Sequence, residues 1–335
     1  MRLRQPRMLT ALLLAALYGA AALGADGSAG ALAGVDVVPV RPGIDMVMVH
    51  GQNVAVQFGP DGVVVVDTGA PGDSAALLAA IQHITSEPIR FIINTSASPD
   101  RVGGNAALSV AGHGFSQGEA GFGGGQFLGV SNAPIIAQAN VLLTMASTAG
   151  AGSSSKAMPS LTYDVGAKGF TLNGDSIEIM HIPGAHSNGD SVVMFRRADV
   201  LVSGDIVDMR HFPQIDLAHG GSINGEIAAL NDLLDLTVPA LPLYWHGGGT
   251  VVIPASGRLA QQEEMVQYRD MVTIVRDRVQ GLIKQHRSLA QVRAADPTAG
   301  FDGRYGAEGG PWSTDQFVAA VYQSLTAAHA HRKGR

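Results

Sequence analysis

Polar residues able to bind a cation sit where apolar runs end. Asp67 closes Val63-Val64-Val65-Val66, and Asp205 closes Val202-Ser203-Gly204. His186 follows Pro183-Gly184-Ala185, and the polar stretch Ser96-Ala97-Ser98-Pro99-Asp100-Arg101 follows the apolar run 89–94. A last turn, Pro254-Ala255-Ser256-Gly257, ends Val251-Val252-Ile253. Taken singly, each is as well explained by a loop cap. Taken together, strand ends that converge on one sheet edge form a site, because functional groups sit in loops carried by a rigid scaffold. The chain has no cysteine. Disulfides and thiolate ligands are therefore excluded, and His and carboxylate alone would have to hold any metal.

The elements that must position these residues alternate between strand and helix. Two strands, near 54–58 and 63–67, flank a Gly-Pro-Asp-Gly turn, and the second is apolar on both faces, as a strand buried on both sides must be. Helical spacing over 73–84 leads into a strand at 89–94, and a helix starts near Gly103. Residues 112–156 are rich in Gly, Ser and Ala and read as an excursion over the core, with a helix at 133–145. Strands follow at 176–182, 191–196, 200–203 and 251–253, with a helix at 224–234. A long amphipathic helix spans 257–286, its stripe Val272, Val275 and Val279 reading as core packing, and a shorter one spans 314–328.

Arg2, Arg4 and Arg7 precede an apolar run over 8–22 and small residues near 25, the three-part layout of a secretory signal. The expectation is a cleaved signal at 1–25, a linker at 26–35, a single domain over 36–335 and export to the periplasm or medium, with no stable membrane insertion after cleavage. A hydrophobic content of 46% with 15% charged residues describes a globular domain with an aliphatic core, since aromatics are 5%. A net charge of −6 without a basic stripe excludes nucleic acid as a partner. Ser153-Ser154-Ser155-Lys156 has the Ser-x-x-Lys form of a serine β-lactamase but lacks the accompanying elements, and the glycines over 121–129 follow no strand and lack a phosphate-loop lysine.

In the order and spacing of Val66-Asp67-Thr68-Gly69, Asn94-Thr95, Gly103-Gly104-Asn105, Gly189-Asp190-Ser191, Ser203-Gly204-Asp205, Gly220-Gly221-Ser222 and Gly248-Gly249-Thr250, the chain resembles the metallo-β-lactamase superfamily over about 36–325. The resemblance implies an α/β four-layer αββα sandwich. It also implies a metal motif His-x-His-x-Asp-His after Asn-Thr, where this chain has Ser96, Ser98, Asp100 and Arg101. The last family histidine falls on Ser256. Of the implied ligands only Asp100, His186 and the bridging Asp205 remain, with Asp67, Ser96, Ser98, Arg101 and Ser256 around the pocket. A zinc site needs about three protein ligands, and neither metal position reaches that number. The expected protein is therefore a non-catalytic, pocket-retaining relative with no cofactor and a small-molecule ligand. The alternative is an active hydrolase of esters, lactams or thioesters that keeps one zinc or other divalent ion, with Asp100 orienting a metal-bound water.

Two carboxylates 4 Å apart repel by about 4 kcal/mol at an effective dielectric of about 20. Arg101 is accordingly expected to supply the missing positive charge by a bidentate pair with Asp100 or Asp205. His211, His219 or His246 swinging in as a replacement ligand, and an oxygen site for Mg²⁺ or Ca²⁺ made of Ser96, Ser98, Asp100 and Asp205, are the two rescues open to a metal centre.

Overall fold

The computed structural model describes residues 34–115, 131–148, 154–240, 248–309 and 312–333. The expected signal, the glycine run at 121–129 and His246 lie outside the described residues. Among the described residues no helix is long and apolar enough to cross a membrane.

Seven strands make the first sheet, in chain order: β1 (Val35–Arg41), β2 (Ile44–Val49), β3 (Gln52–Gly59), β4 (Gly62–Val66), β5 (Ile89–Ile93), β6 (Ile135–Gln138) and β7 (Leu161–Tyr163). The first four form an antiparallel meander, and β4 to β7 run parallel. The second sheet contains β8 (Ala167–Leu172), β9 (Asp175–His181), β10 (Ser191–Phe195), β11 (Val200–Val202) and β12 (Val251–Ile253), in the order β12-β11-β10-β9-β8. Only its β11–β12 pair is parallel. Helices α1 (Ser74–Ile84), α2 (Pro99–Val102), α3 (Asn105–Ala111) and α4 (Ala139–Thr148) belong to the first half, and α5 (Ile223–Leu236), α6 (Gln262–Lys284), α7 (Leu289–Ala294), α8 (Asp302–Tyr305) and α9 (Thr314–Lys333) to the second.

Three apolar clusters define four layers. Val64, Val66, Phe91 and Ile93 of the first sheet meet Ile177, Val193, Phe195 and Val202 of the second, so the central core lies between the sheets. Alternate residues of the same strands, such as Val63, Val65 and Ile92, pack on Leu77 and Ile81 of α1 and on Leu108 of α3. On the other side Val192, Met194, Leu201 and Val252 pack under α5, α6 and α9. This alternation explains why β4, Gly62–Val66, is apolar at every position: both of its faces are covered. Val272, Val275 and Val279 of α6 are fully buried in the third cluster, each burial contributing roughly 1.5–3 kcal/mol.

The expected helix at 133–145 is instead a strand followed by a helix. Residues 135–138 are fully buried and add to the parallel run beside β5, and α4 begins at Ala139. A short apolar run reads equally as either type until its neighbours are known. Likewise α6 starts at Gln262, because Ala260 pairs with Val252 and a Gln261/Glu264 capping box fixes the helix start.

Candidate functional site

All the residues that close the apolar runs come together at one edge, where the ends of β4, β5, β9, β11 and β12 meet. Asp67, just past β4, adopts a left-handed backbone (φ 66°). Its Oδ1 accepts from the Thr95 amide at 2.8 Å and its Oδ2 from the Thr95 hydroxyl at 2.7 Å, which ties the β4 and β5 ends together. The Arg101 carbonyl accepts from the Thr68 amide (3.0 Å), the Thr68 hydroxyl (3.1 Å) and Asn94 Nδ2 (3.1 Å). These bonds hold α2, a single turn, against the sheet and aim its arginine inward.

Asp205 lies on a turn of 3₁₀ helix (Gly204–Ile206) beyond β11. Gly204 has φ +55° and packs against Thr95, so a side chain at that position would be both strained and in contact with it. Asp205 is the hub of the site. Its Oδ1 accepts from Arg101 Nε at 2.9 Å, and its Oδ2 accepts from Ser96 Oγ at 2.5 Å and Ser98 Oγ at 2.8 Å. Ser98 Oγ also lies 3.1 Å from His186 Nε2, and His186 Nδ1 bonds the Gln214 carbonyl at 2.7 Å. His186 Nε2 is 3.8 Å from Asp205 Oδ2.

The loop holding His186 is braced from two sides. Asp190 accepts the Ser187 amide (2.7 Å) and hydroxyl (2.6 Å), and Ser222 caps α5 while bonding the Gly184 carbonyl. Gly221 approaches so closely that an added Cβ would lie 1.9 Å from the His186 carbonyl oxygen, which accounts for the glycine there.

Arg101 pairs with Asp205 through one bond, not the expected bidentate fork. Its other nitrogens are drawn elsewhere: Nη2 to Gln52 Oε1 (2.7 Å) and the Ala255 carbonyl (3.2 Å), Nη1 to the Asn53 carbonyl (3.3 Å) and, at 3.9 Å, towards Asp67. A guanidinium with five donors in a buried site spreads them over every acceptor in reach. Asp100 is half-buried and is not among the groups that Arg101 bonds; its carboxyl acts on Arg101 and Asp205 only through its charge. Ser256 is buried but donates to Asp208 Oδ1 at 2.7 Å, away from the Asp205 hub. His211 and His219 are each paired with the aspartate three residues before them, Asp208 and Asp216. His219 lines the same cavity as His186, yet among the described residues no three His, Asp or Glu side chains converge as a cation site.

The chemistry of the donor set points the same way. A metal at Asp205 would find one imidazole, two hydroxyls donating their protons to the carboxylate, and a buried guanidinium already on Oδ1, which is a poor fit for zinc. The oxygen site of Ser96, Ser98, Asp100 and Asp205 is likewise not assembled, since Asp100 stays apart.

The charges are set by burial and by these neighbours. Burial alone would raise the Asp205 carboxyl, but Arg101, His186 and the two serine hydroxyls hold it below the usual carboxylate range. Burial pushes Asp67 up to about 7 against the opposing Arg101 and Thr95 bonds, and Asp190 up to about 6. Asp100 is also raised, by burial, with Asp205 and Asp73 adding to it. Burial works against a charged His186, yet Asp205, Asp190 and the Gln214 carbonyl bring it above its ordinary value.

The cavity beside this network measures about 250 Å³ and is lined by Ala97, Ser98, Pro99, Val141, His186 and Gln214 among others. Ser98 and His186 are therefore the two members of the network that reach its wall, whereas Asp67, Ser96, Arg101 and Ser256 are buried away from it. The sequence reading missed Gln52 and Asn53, which hold Arg101. Their signal was two adjacent polar residues opening a strand that continues with Val54-Ala55-Val56, with Asn53 3% exposed.

No family model matches the sequence, and no curated protein matches it. Solved structures do. A metallo-beta-lactamase from Pontibacter korlensis is similar over 71% of this chain and 99% of its own, with 17% identity and a TM-score of 0.53. A double mutant of the sec-alkyl sulfatase PisA1 is similar over 87% of this chain but 50% of its own, with 16% identity and a TM-score of 0.63, so the chain spans about half the length of that enzyme. The DIM-1 metallo-beta-lactamase is similar over 71% of this chain and 97% of its own, with 13% identity and a TM-score of 0.52. With its two mixed sheets between helical layers, this chain has the metallo-β-lactamase fold.

Proposed function

We propose that this protein has given up metal-dependent hydrolysis and retains the pocket of its fold as an exported, small-molecule-binding site. The observation that carries this reading is the Arg101 Nε to Asp205 Oδ1 bond at 2.9 Å, with the second carboxylate oxygen taken by Ser96 and Ser98. The carboxylate expected to bridge metals has a built-in cation. A divalent ion about 4 Å from the guanidinium would be repelled by about 8 kcal/mol at an effective dielectric of about 20, and it would have too few nitrogen and carboxylate ligands to offset this. The small cavity on the His186 side is what remains open to a ligand. Export rests on the arginine-led apolar leader.

The test is elemental analysis of untagged protein, loaded with zinc and dialysed, with Asp205→Ala as control. The expected content is far below one zinc per chain in both. Stoichiometric zinc that disappears in Asp205→Ala would return the protein to the metal-dependent hydrolases, with ester, lactam and thioester hydrolysis to be screened.

A further inference from the structure

Strands that end at the Asp205 edge begin at another opening. β9 and β11 start from the turns at 173–174 and 196–199, and the seven residues of β9, at about 3.3 Å each, place that opening roughly 20 Å from the site. There a cavity of about 480 Å³ lies between the two sheets, lined by Arg41, Pro42 and Phe58 of the first and by Asn173, Arg197 and Ala198 of the second. Its wall is fixed by bonds that cross from sheet to sheet. Asn173 Nδ2 donates to Gln57 Oε1 (3.0 Å) and to the Gly62 carbonyl (2.9 Å), and its Oδ1 accepts from the Asp61 amide at 2.8 Å. Gln57 Nε2 in turn donates to the Leu172 carbonyl at 3.3 Å. A wall ordered in the free protein leaves little to be ordered on binding.

The charges around this cavity are unequal. Arg41 Nη2 donates to the Gly249 carbonyl at 3.1 Å, a neutral acceptor that fixes the side chain without cancelling its charge. Arg196 is drawn to Glu178 at 2.9 Å, but Arg197, next to it, is exposed and among the described residues reaches only the Gly174 carbonyl, at 3.5 Å. Asp175 is the one carboxylate among the described lining residues, and both its oxygens accept from backbone amides, that of Arg197 at 2.7 Å and that of Ala198 at 3.1 Å. Two guanidiniums against one carboxylate leave a formal charge of +1 on the lining.

We infer that this cavity is a second binding site, for a small organic monocarboxylate with an apolar body. One negative charge balances the lining, whereas the second charge of a dianion such as hydrogen phosphate would face Asp175 unpaired. A guanidinium presents paired N–H donors that match a carboxylate, and Arg197 has such donors to offer. Pro42, Phe58 and Ala198 give apolar contact to the rest of the ligand, contact that an inorganic ion could not use. The volume falls within the roughly 300–1,000 Å³ of small-molecule sites. The site goes beyond the cavity beside His186 and shares no lining residue with it.

The experiment is titration of the ¹⁵N-labelled chain with sodium benzoate at low ionic strength, read by amide NMR shifts, with benzamide as the uncharged probe of the same shape and inorganic phosphate as the dianion. The expected result is saturable benzoate shifts at Gly43, Asn173 and Ala198 with a Kd of about 1 mM, ordinary for so small a ligand, and binding about tenfold weaker or more for benzamide and phosphate. Arg197→Met, at an exposed position, should weaken benzoate about tenfold or more while leaving thermal unfolding near the wild-type temperature. Absence of saturable shifts at these amides, benzamide or phosphate binding as tightly as benzoate, or an unchanged Kd in Arg197→Met overturns the proposal. Benzoate shifts confined to Ser98, His186 and their neighbours overturn it as well, and would count instead for a ligand in the His186 cavity.

Discussion

Arg101 Nε donates to Asp205 Oδ1 at 2.9 Å, and the two side chains are 3% and 12% exposed. A buried ion pair is costly to break by removing one member, because the survivor keeps its desolvation penalty and loses its partner. Arg101→Met should therefore destabilise the fold by about 3–5 kcal/mol, read as a lower urea midpoint. Arg101→Met together with Asp205→Leu should lose less than the sum of the two single changes. Additive losses would mean that the pair is not energetically coupled.

The serines decide what the site can bind. Ser96 and Ser98 meet at one oxygen of Asp205, beside His186. Ser96→His with Ser98→His and Arg101→Ala would bring three imidazoles to one carboxylate and remove the competing cation, the ligand number that zinc requires. This triple variant should gain near-stoichiometric zinc in elemental analysis where the parent does not. A variant that folds but stays free of zinc would show that the 96–101 backbone no longer holds its side chains in a metal-binding arrangement.

The buried acids set a pH dependence of definite sign. Asp67, raised to about 7, and Asp190, raised to about 6, bind protons more tightly in the fold than in the unfolded chain. The stability they add is complete below about pH 4 and is lost as pH rises through those values. His186, also raised, acts in the same direction above its unfolded value. Asp205, lowered, contributes above its unfolded value and loses that contribution only in strong acid. The urea midpoint should fall between pH 5 and pH 8, by an amount of order 1–3 kcal/mol in unfolding free energy, and Asp67→Asn should flatten the fall.

Glu226, on α5, is fully buried with neither carboxylate oxygen hydrogen-bonded. Burial, with Asp190 and Asp205 adding to it, holds its carboxyl well above the ordinary value. Such a group stabilises nothing in an apolar core. Glu226→Met, close in volume, should raise the unfolding free energy by about 1–3 kcal/mol, and by more at pH 8 than at pH 5, because ionisation of the wild-type carboxyl grows with pH. Thermal unfolding at the two pH values checks this. A loss of stability would point to a role for the carboxyl that its surroundings do not reveal.

The sequence determined the layers and the edge that carries the site. An apolar run with one polar residue at the end, such as Val63-Val64-Val65-Val66-Asp67, names both a buried strand and the side chain at its mouth, since a strand covered on both faces reads as a near-continuous apolar run. The absent cysteines, and the serines and arginine at 96–101, are covalent facts that limit metal ligation before any folding. Tertiary structure alone decided the partners. Whether residues 135–138 were strand or helix depended on a neighbouring strand far away in sequence. Arg101 could reach Asp100 or Asp205 equally well on paper. Its choice of Asp205 through one nitrogen follows from where β3 places Gln52 and Asn53 and where the loop after β12 places Ala255. The Ser98–His186 contact, 88 residues apart, exists only because α2 and the loop after β9 meet at the same sheet edge. Local spacing cannot encode such a meeting, since it depends on the relative placement of whole layers.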